Sequence, residues 1–372
     1  MKIENLKDYL TDSSAEIVLY MAPAVRVGIG EFYNLPPVNF APKIITALKQ
    51  IGVKFVYDMS FAADLTTVEE TVELLEHLEG GLTPMFSSCC PGWIKMAQLR
   101  FPELAHNIST CKSPQAMFGS ILRRYHKPAD GKKLIIVSLV PCAIKKQELL
   151  IPEYWTGDKP DIDMAITTGE LATLLHDEKI DLPNLPDTPF DGLFGESAGA
   201  RFGARDGVMM SMLNTFRKIV IPDGVPLPIV EDVSGGVRTM QFVVGEINPV
   251  PEFLKHKFAT FEFLRGRTVR MAAVNSVPSI NKIIDSIKND GEFSIYDFIE
   301  FMMCMGGCVG GAGQKITANP EDVSNRVQSL LGVAGNYKTA LDNPAVWDFY
   351  ENTLKDGIGS DVAEKLLHRI PG

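Results

Sequence analysis

The sequence predicts an α/β protein of two lobes, with mostly parallel twisted sheets flanked by helices, a cofactor cleft between the lobes and a helical C-terminal tail. Three observations lead there. Short apolar, β-rich runs recur along the chain, helical patterns with start and stop signals fall between them, and two runs end directly in Ala22-Pro23-Ala24 and Pro141-Cys142. Strands alternating with helices indicate α/β layers, and in such sheets ligands bind at the carboxyl ends of the strands.

Residues 17–21, 53–57, 134–140, 240–244 and 269–274 read as buried strands, being short apolar, β-rich runs of strand length. Residues 41–51 read as a helix halted by Gly52. A helix over 66–78 opens on Thr66-Thr67-Val68-Glu69, a capping-box pattern, and closes at Gly80-Gly81. Ser113-Pro114 begins another, with serine as cap and proline at the first helical position. The Pro-, Asp- and Gly-rich stretch 181–199 reads as a surface loop. Ile151-Pro152-Glu153 breaks the pattern, giving lobes over 1–150 and 151–319. The tail over 320–372 reads as amphipathic helices packed on the same unit, two of them short and within 344–368. The strand ends at Ala22 and Cys142 are expected to face one cleft.

At 372 residues, 45% hydrophobic and 22% charged, the chain has room for a sizeable core. Its net charge, 36 minus 46 or −10, argues against non-specific nucleic-acid binding. Charges of both signs in the first ten residues exclude a signal peptide's apolar region, and no run of about 18 apolar residues is present to span a membrane. Six cysteines are too few for a disulfide scaffold, and their clustering suits metal binding in a reducing compartment, here taken as the cytoplasm.

The cysteines carry the chemistry. Cys304 and Cys308 enter a glycine run, Cys89 and Cys90 are adjacent in Ser87-Ser88-Cys89-Cys90-Pro91-Gly92-Trp93, Cys142 follows Pro141, and Cys111 is left over. Four thiolates suit zinc or an iron–sulfur cluster. Spacing disfavours zinc, since 51 residues separate Cys90 from Cys142 and 161 separate Cys142 from Cys304. Vicinal thiols seldom both bind one cluster, so either Cys89 or Cys90 is free for another task. That task is proton transfer, or the thiol is simply buried or paired with its neighbour. Glu70, Glu73 and His77 share one helical face, which by periodicity alone is a solvated stripe.

Together, Ser87 to Trp93, Pro141-Cys142-Ala143-Ile144-Lys145-Lys146-Gln147-Glu148 and the stretch from Met302 to Gln314 resemble the three H-cluster motifs of the FeFe (iron-only) hydrogenases, in the same order. In that family these read T-S-C-C-P-x-W, M-P-C-x-x-K-x-x-E and M-A-C-x-G-G-C-x-x-G-G-G-Q-P. The resemblance covers essentially the whole chain and points to a minimal member, since no cysteines remain for ferredoxin-type clusters of about four ligands each.

The resemblance implies that Cys90, Cys142, Cys304 and Cys308 hold a 4Fe–4S cubane. Cys308 would also bridge to a two-iron subsite with carbonyl, cyanide and bridging dithiolate ligands. Lys145 would pair with a cyanide, supported by Glu148, while Ala22, Pro23, Ala24, Pro114, Gln115 and Met302 line the subsite. Cys89 would be the proton-transfer thiol, with Glu70, Ser109 and Glu73 as its relay and His77 where an arginine usually stands. The implied function is reversible reduction of protons to dihydrogen, with electrons from an external carrier such as ferredoxin and the two-iron unit installed by maturation proteins. The alternatives are a dihydrogen sensor of slow turnover and an iron–sulfur assembly protein lacking the two-iron unit. Departures from the motifs are Val140, Met303, Met305, Ala312, Lys315 and, for a usual alanine, Cys111. Lys315 is a candidate contact for the electron donor.

Overall fold

The structure, a computed structural model, describes residues 4–192, 197–234, 236–333 and 338–369. Its strands are β1 (Ala15–Met21), β2 (Phe55–Asp58), β3 (Met85–Phe86), β4 (Lys133–Val140), β5 (Met164–Thr167), β6 (Glu231–Ser234), β7 (Val237–Val243), β8 (Thr268–Asn275) and β9 (Phe298–Met302). The first sheet, in the order β2-β1-β4-β5, is wholly parallel. The second, β3-β9-β8-β7-β6, is parallel through β8 and antiparallel beyond. The fold is therefore α/β with mostly parallel pairing.

Central strands of a covered sheet must be apolar on both faces. In β1 every residue from Glu16 to Met21 is buried, with Leu19 registered between Val56 and Val137. One continuous core joins this sheet to its helices and to helix Ser60–Gly80. A second core lies on the other sheet around Trp93, whose ring centroid is 4.2 Å from Phe301 and 5.8 Å from Phe86. Truncating one such ring to alanine costs about 3–5 kcal/mol. That packing fixes two of the three loops that carry motif cysteines, those after β3 and β9.

Several expectations are corrected. The sheets interleave across residue 150, since β3 precedes it yet belongs to the second sheet and β5 follows it in the first. The helix expected over 66–78 begins at Ser60, so Thr66 and Thr67 are not caps; their hydroxyls donate to the Ala62 and Ala63 carbonyls at 3.0 and 2.8 Å. The stretch 181–199, of which 193–196 lie outside the described residues, is a surface loop as expected, and it is tied to the first sheet. There the Asp191 carboxylate accepts from Val56 N–H and from Lys49 Nζ, both at 2.6 Å.

The tail forms helices Pro320–Val333, Pro344–Asp348 and Asp361–Leu367. It is tied inward by Arg326, 2% exposed at its side chain, which donates to both Glu31 carboxylate oxygens and to the carbonyls of Val309 and Lys315. Asn343 and His368 reach the carboxylates of Asp64 and Glu69 on helix Ser60–Gly80. Residues 334–337 and 370–372 lie outside the description.

Candidate metal centre

The carboxyl ends of four strands, each parallel to a neighbour, open into one cavity, whose atom-free space of about 790 Å³ includes the open solvent at its mouth. Ala22, Pro23 and Ala24 follow β1, Cys142 follows β4, Cys89 and Cys90 follow β3, and Met302, Cys304 and Cys308 end or follow β9. Pro114, Gln115 and Lys145 complete the set brought together from the sequence. Cys90, Cys142, Cys304 and Cys308 are partly exposed because they face the cavity, whereas Cys89 and Cys111 are buried.

Local sequence explains each placement. Ser87 Oγ accepts from Phe301 N–H at 3.0 Å and Ser88 Oγ donates to the Cys111 carbonyl at 2.7 Å, pinning the loop before the vicinal thiols. Cys90 caps helix Pro91–Arg100, whose proline needs no hydrogen-bond partner at that position. Gly307 has φ +82° and a side chain there would meet the Ala204 carbonyl carbon at 2.6 Å, so only glycine lets the Cys304–Cys308 turn close.

The four thiols act on one another. Burial first, then Cys142 and Cys90, push Cys304 up to about 12. Burial, then Cys90, Cys304 and Cys142, raise Cys308 further. Four sulfurs this close and this shielded cannot all ionise in an empty cavity. A multivalent cationic group removes the conflict, because metal ligation deprotonates the thiol outright. The donor set, the space and the apolar walls fit an iron–sulfur centre with a further group beside it.

Lys145 supplies a buried cation. Its Nζ lies 2.6 Å from Glu148 Oε2 and donates to the Cys89 carbonyl at 3.0 Å. Burial alone would lower its pKa, but Glu148 more than offsets this and the ammonium is favoured. Glu148 lies behind the cavity wall, held by the Ser113 hydroxyl and by Gln115 Nε2 at 3.4 Å.

Behind Cys89 the helix face read as a solvated stripe is buried: Glu70 is 0% and Glu73 8% exposed. Burial and then Glu70 hold the Cys89 thiol well above its usual range, so it stays protonated. Burial, then Glu73, push Glu70 up to about 8. Glu70 Oε1 accepts from Ser88 N–H at 3.2 Å, while Oε2 is buried without a protein partner. An unpaired buried oxygen marks a place for water or a mobile proton. Ser109 Oγ donates to Glu73 Oε2 at 2.5 Å.

His77 does not continue this line. It is half-buried and bonded to the Leu82 carbonyl at 3.0 Å, whereas Glu73 contacts Thr110, which in turn bonds His368. Lys315 is engaged at the Glu31 carbonyl, 2.6 Å away. Sequence reasoning missed Thr110, His368 and the buried Glu300 of β9, which burial pushes up to about 8. A carboxylate inside the apolar run Phe298-Ile299-Glu300-Phe301-Met302 was the available signal for the last.

Comparison with known proteins agrees with this geometry. Residues 15–312 match the family described as iron only hydrogenase large subunit, C-terminal domain. Iron hydrogenase 1 of Clostridium pasteurianum is 36% identical over 98% of this chain and 62% of its own length. The periplasmic [Fe] hydrogenase large subunit of Nitratidesulfovibrio vulgaris is 33% identical over 88% of this chain and 76% of its own. The chain spans about 60% of the length of the NADP-reducing hydrogenase subunit HndD of Solidesulfovibrio fructosivorans, at 33% identity. It is also 26% identical to cytosolic iron-sulfur assembly component 3 of Pongo abelii over 95% of this chain and 73% of that protein. Among solved structures, [FeFe]-hydrogenase HydA1 from Chlamydomonas reinhardtii superposes with a TM-score of 0.82 at 30% identity, covering 99% of this chain and 98% of that one. With the motif cysteines meeting in one cavity and the family match running across both sheets, the chain belongs to the iron-only (FeFe) hydrogenase family.

Proposed function

We propose that this chain reversibly reduces protons to dihydrogen at an H-cluster, in the cytoplasm, using electrons from an external carrier such as ferredoxin. Cys90, Cys142, Cys304 and Cys308 would hold the 4Fe–4S cubane, with Cys308 also bridging to the two-iron carbonyl and cyanide subsite. Ala22, Pro23, Ala24, Pro114, Gln115, Met302 and Lys145 would enclose that subsite, and Glu148 would hold the Lys145 ammonium. When bound, the H-cluster supplies the iron at which dihydrogen is made or split and the cubane through which electrons arrive. Maturation proteins would install the two-iron unit. Among the described residues no helix is long and apolar enough to cross a membrane.

The chain's own part is to exclude water and move protons. Cys89 lines the cavity yet is surplus to a four-sulfur ligand set, so its thiol is free to hand a proton inward. Glu70, poised near 8, can return one at neutral pH, where acid–base groups work best. Ser109 can accept a proton on its oxygen while donating its own to Glu73, nearest the surface. The observation that carries the reading is this spare thiol backed by a buried carboxyl, hydroxyl and carboxylate.

The 26% identical assembly component favours a second reading, an iron–sulfur assembly protein without the two-iron unit. One experiment separates them. The chain is loaded with its cubane and a synthetic two-iron precursor, then assayed for infrared carbonyl and cyanide bands and for dihydrogen evolution from reduced viologen. Bands with turnover support the proposal. Neither bands nor gas would overturn it, and bands with only slow turnover that is indifferent to loss of Cys89 would indicate a dihydrogen sensor.

A further inference from the structure

Outside the cavity, Cys111, His368 and Glu73 meet at the outer end of the carboxylate line. Cys111 Sγ lies 3.6 Å from Glu73 Oε2 and 3.7 and 3.9 Å from Nε2 and Nδ1 of His368. One ligand atom from each residue can be chosen so that all lie within 4.8 Å of one another. A tetrahedral zinc ion with bonds of about 2.0–2.3 Å separates sulfur, nitrogen and oxygen donors by roughly 3.3–3.6 Å. A small turn of the imidazole therefore closes the set. Thiolate, imidazole and carboxylate together suit zinc far better than magnesium or calcium.

The surroundings of these donors fit a metal site. Thr110 Oγ1 lies 2.8 Å from His368 Nδ1 and donates to Glu73 Oε1 at 2.9 Å, and Thr110 N–H donates to the same oxygen at 2.8 Å. Glu69 Oε2 lies 3.3 Å from His368 Nε2, and its other oxygen is held by the Tyr350 hydroxyl and by Gly359 N–H at 3.2 Å. Whichever ring nitrogen binds, the other keeps an oxygen partner, an arrangement that fixes the tautomer of metal-bound histidine. Glu69 and Glu73 are 1% and 8% exposed, so the donors sit away from bulk water. The way in is past His368, whose side chain is 12% exposed. The backbones of Cys111 and His368 form an antiparallel bridge, so the tail itself brings the imidazole to the thiol.

We propose that Glu73, Cys111 and His368 bind a thiophilic divalent cation of the zinc class, with water in the fourth position, and that occupancy draws Glu73 away from Ser109 and closes the proton route. The second half rests on the relay described under Proposed function; the first does not.

Equilibrium dialysis against Zn²⁺ decides the site, using cubane-loaded protein so that the cavity sulfurs are taken, and comparing wild type with Cys111→Ala and His368→Asn. The wild type should hold one zinc more than Cys111→Ala. Each variant should bind at least about tenfold more weakly, given that losing even an outer partner of a ligand costs 10–100-fold. X-ray absorption should show a single sulfur at about 2.3 Å from that zinc. Equal zinc uptake by wild type and both variants, or a zinc without sulfur, overturns the site; two variants guard against one that fails to fold. Zinc should also slow dihydrogen turnover of the wild type, but not of Cys111→Ala, relative to each protein's own zinc-free rate. Zinc bound without slowing overturns the closure. A chain with no turnover at all speaks against the hydrogenase reading, and dialysis still decides the site.

Discussion

Replacing Glu70 by glutamine probes the proton line at its least ordinary member. Its carboxyl moves from 4.5 in the open chain to about 8, chiefly through burial and secondarily through Glu73, against the opposing hydrogen bond from Ser88 N–H. At about 1.4 kcal/mol per unit, the fold moves the balance toward the neutral acid by roughly 5 kcal/mol relative to the open chain, and about ten molecules carry the proton for each that lacks it at pH 7. Because the folded value lies above the open-chain value, the stability linked to this proton is complete below 4.5 and is lost as pH rises through about 8. Glutamine keeps the shape of the neutral acid but cannot ionise. Infrared difference titration of wild type against Glu70→Gln should therefore show a protonated carboxylic-acid band, lost with a midpoint near 8, that the variant lacks. Turnover of the variant should fall by about 10²–10⁴, the range of one lost acid–base group. A midpoint in the ordinary carboxylate range, or undiminished turnover, would refute the reasoning.

Three further outcomes are expected. Cys89→Ala should lower dihydrogen turnover by about two orders of magnitude or more while iron content and infrared bands persist, because in the proposed relay this thiol transfers protons and binds no metal. Gly307→Ala should destabilise the chain by at least about 1–3 kcal/mol in urea titrations and reduce iron uptake, since its φ of +82° and the Ala204 carbonyl carbon 2.6 Å away leave no room for a methyl group. Arg326→Ala should destabilise the chain by up to about 3–5 kcal/mol by leaving the half-buried Glu31 carboxylate without its partner, and Arg326→Met with Glu31→Leu should recover much of it.

What could be read from the sequence was local, and what could not was contributed by distant chain. Strands β1 and β4 announce themselves as short, largely apolar runs, and the cysteines as motifs with glycine, proline and tryptophan at fixed offsets. β3 is two residues long and β9 carries the buried Glu300, so neither offered a clean pattern. The capping-box reading of Thr66 failed because a threonine hydroxyl is equally satisfied by the carbonyl four residues back. The helix face of Glu70 and Glu73 reads as solvated because its cover comes from elsewhere: Ser109 lies 36 residues from Glu73, and His368 lies 299 from Glu69. No local periodicity carries that information. The same distance hid the meeting of Cys111 with His368, 257 residues apart.

The central claim is that four separated sulfurs grip one iron–sulfur cube while two others do not. Anaerobic reconstitution with iron and sulfide, followed by iron analysis and electron paramagnetic resonance of the reduced protein, tests this most directly across alanine variants of all six cysteines. The account expects four irons and a cubane signal in wild type, Cys89→Ala and Cys111→Ala, and loss of both in the variants at Cys90, Cys142, Cys304 and Cys308. A cubane that survives removal of any of these four, or disappears on removal of Cys89, would contradict it.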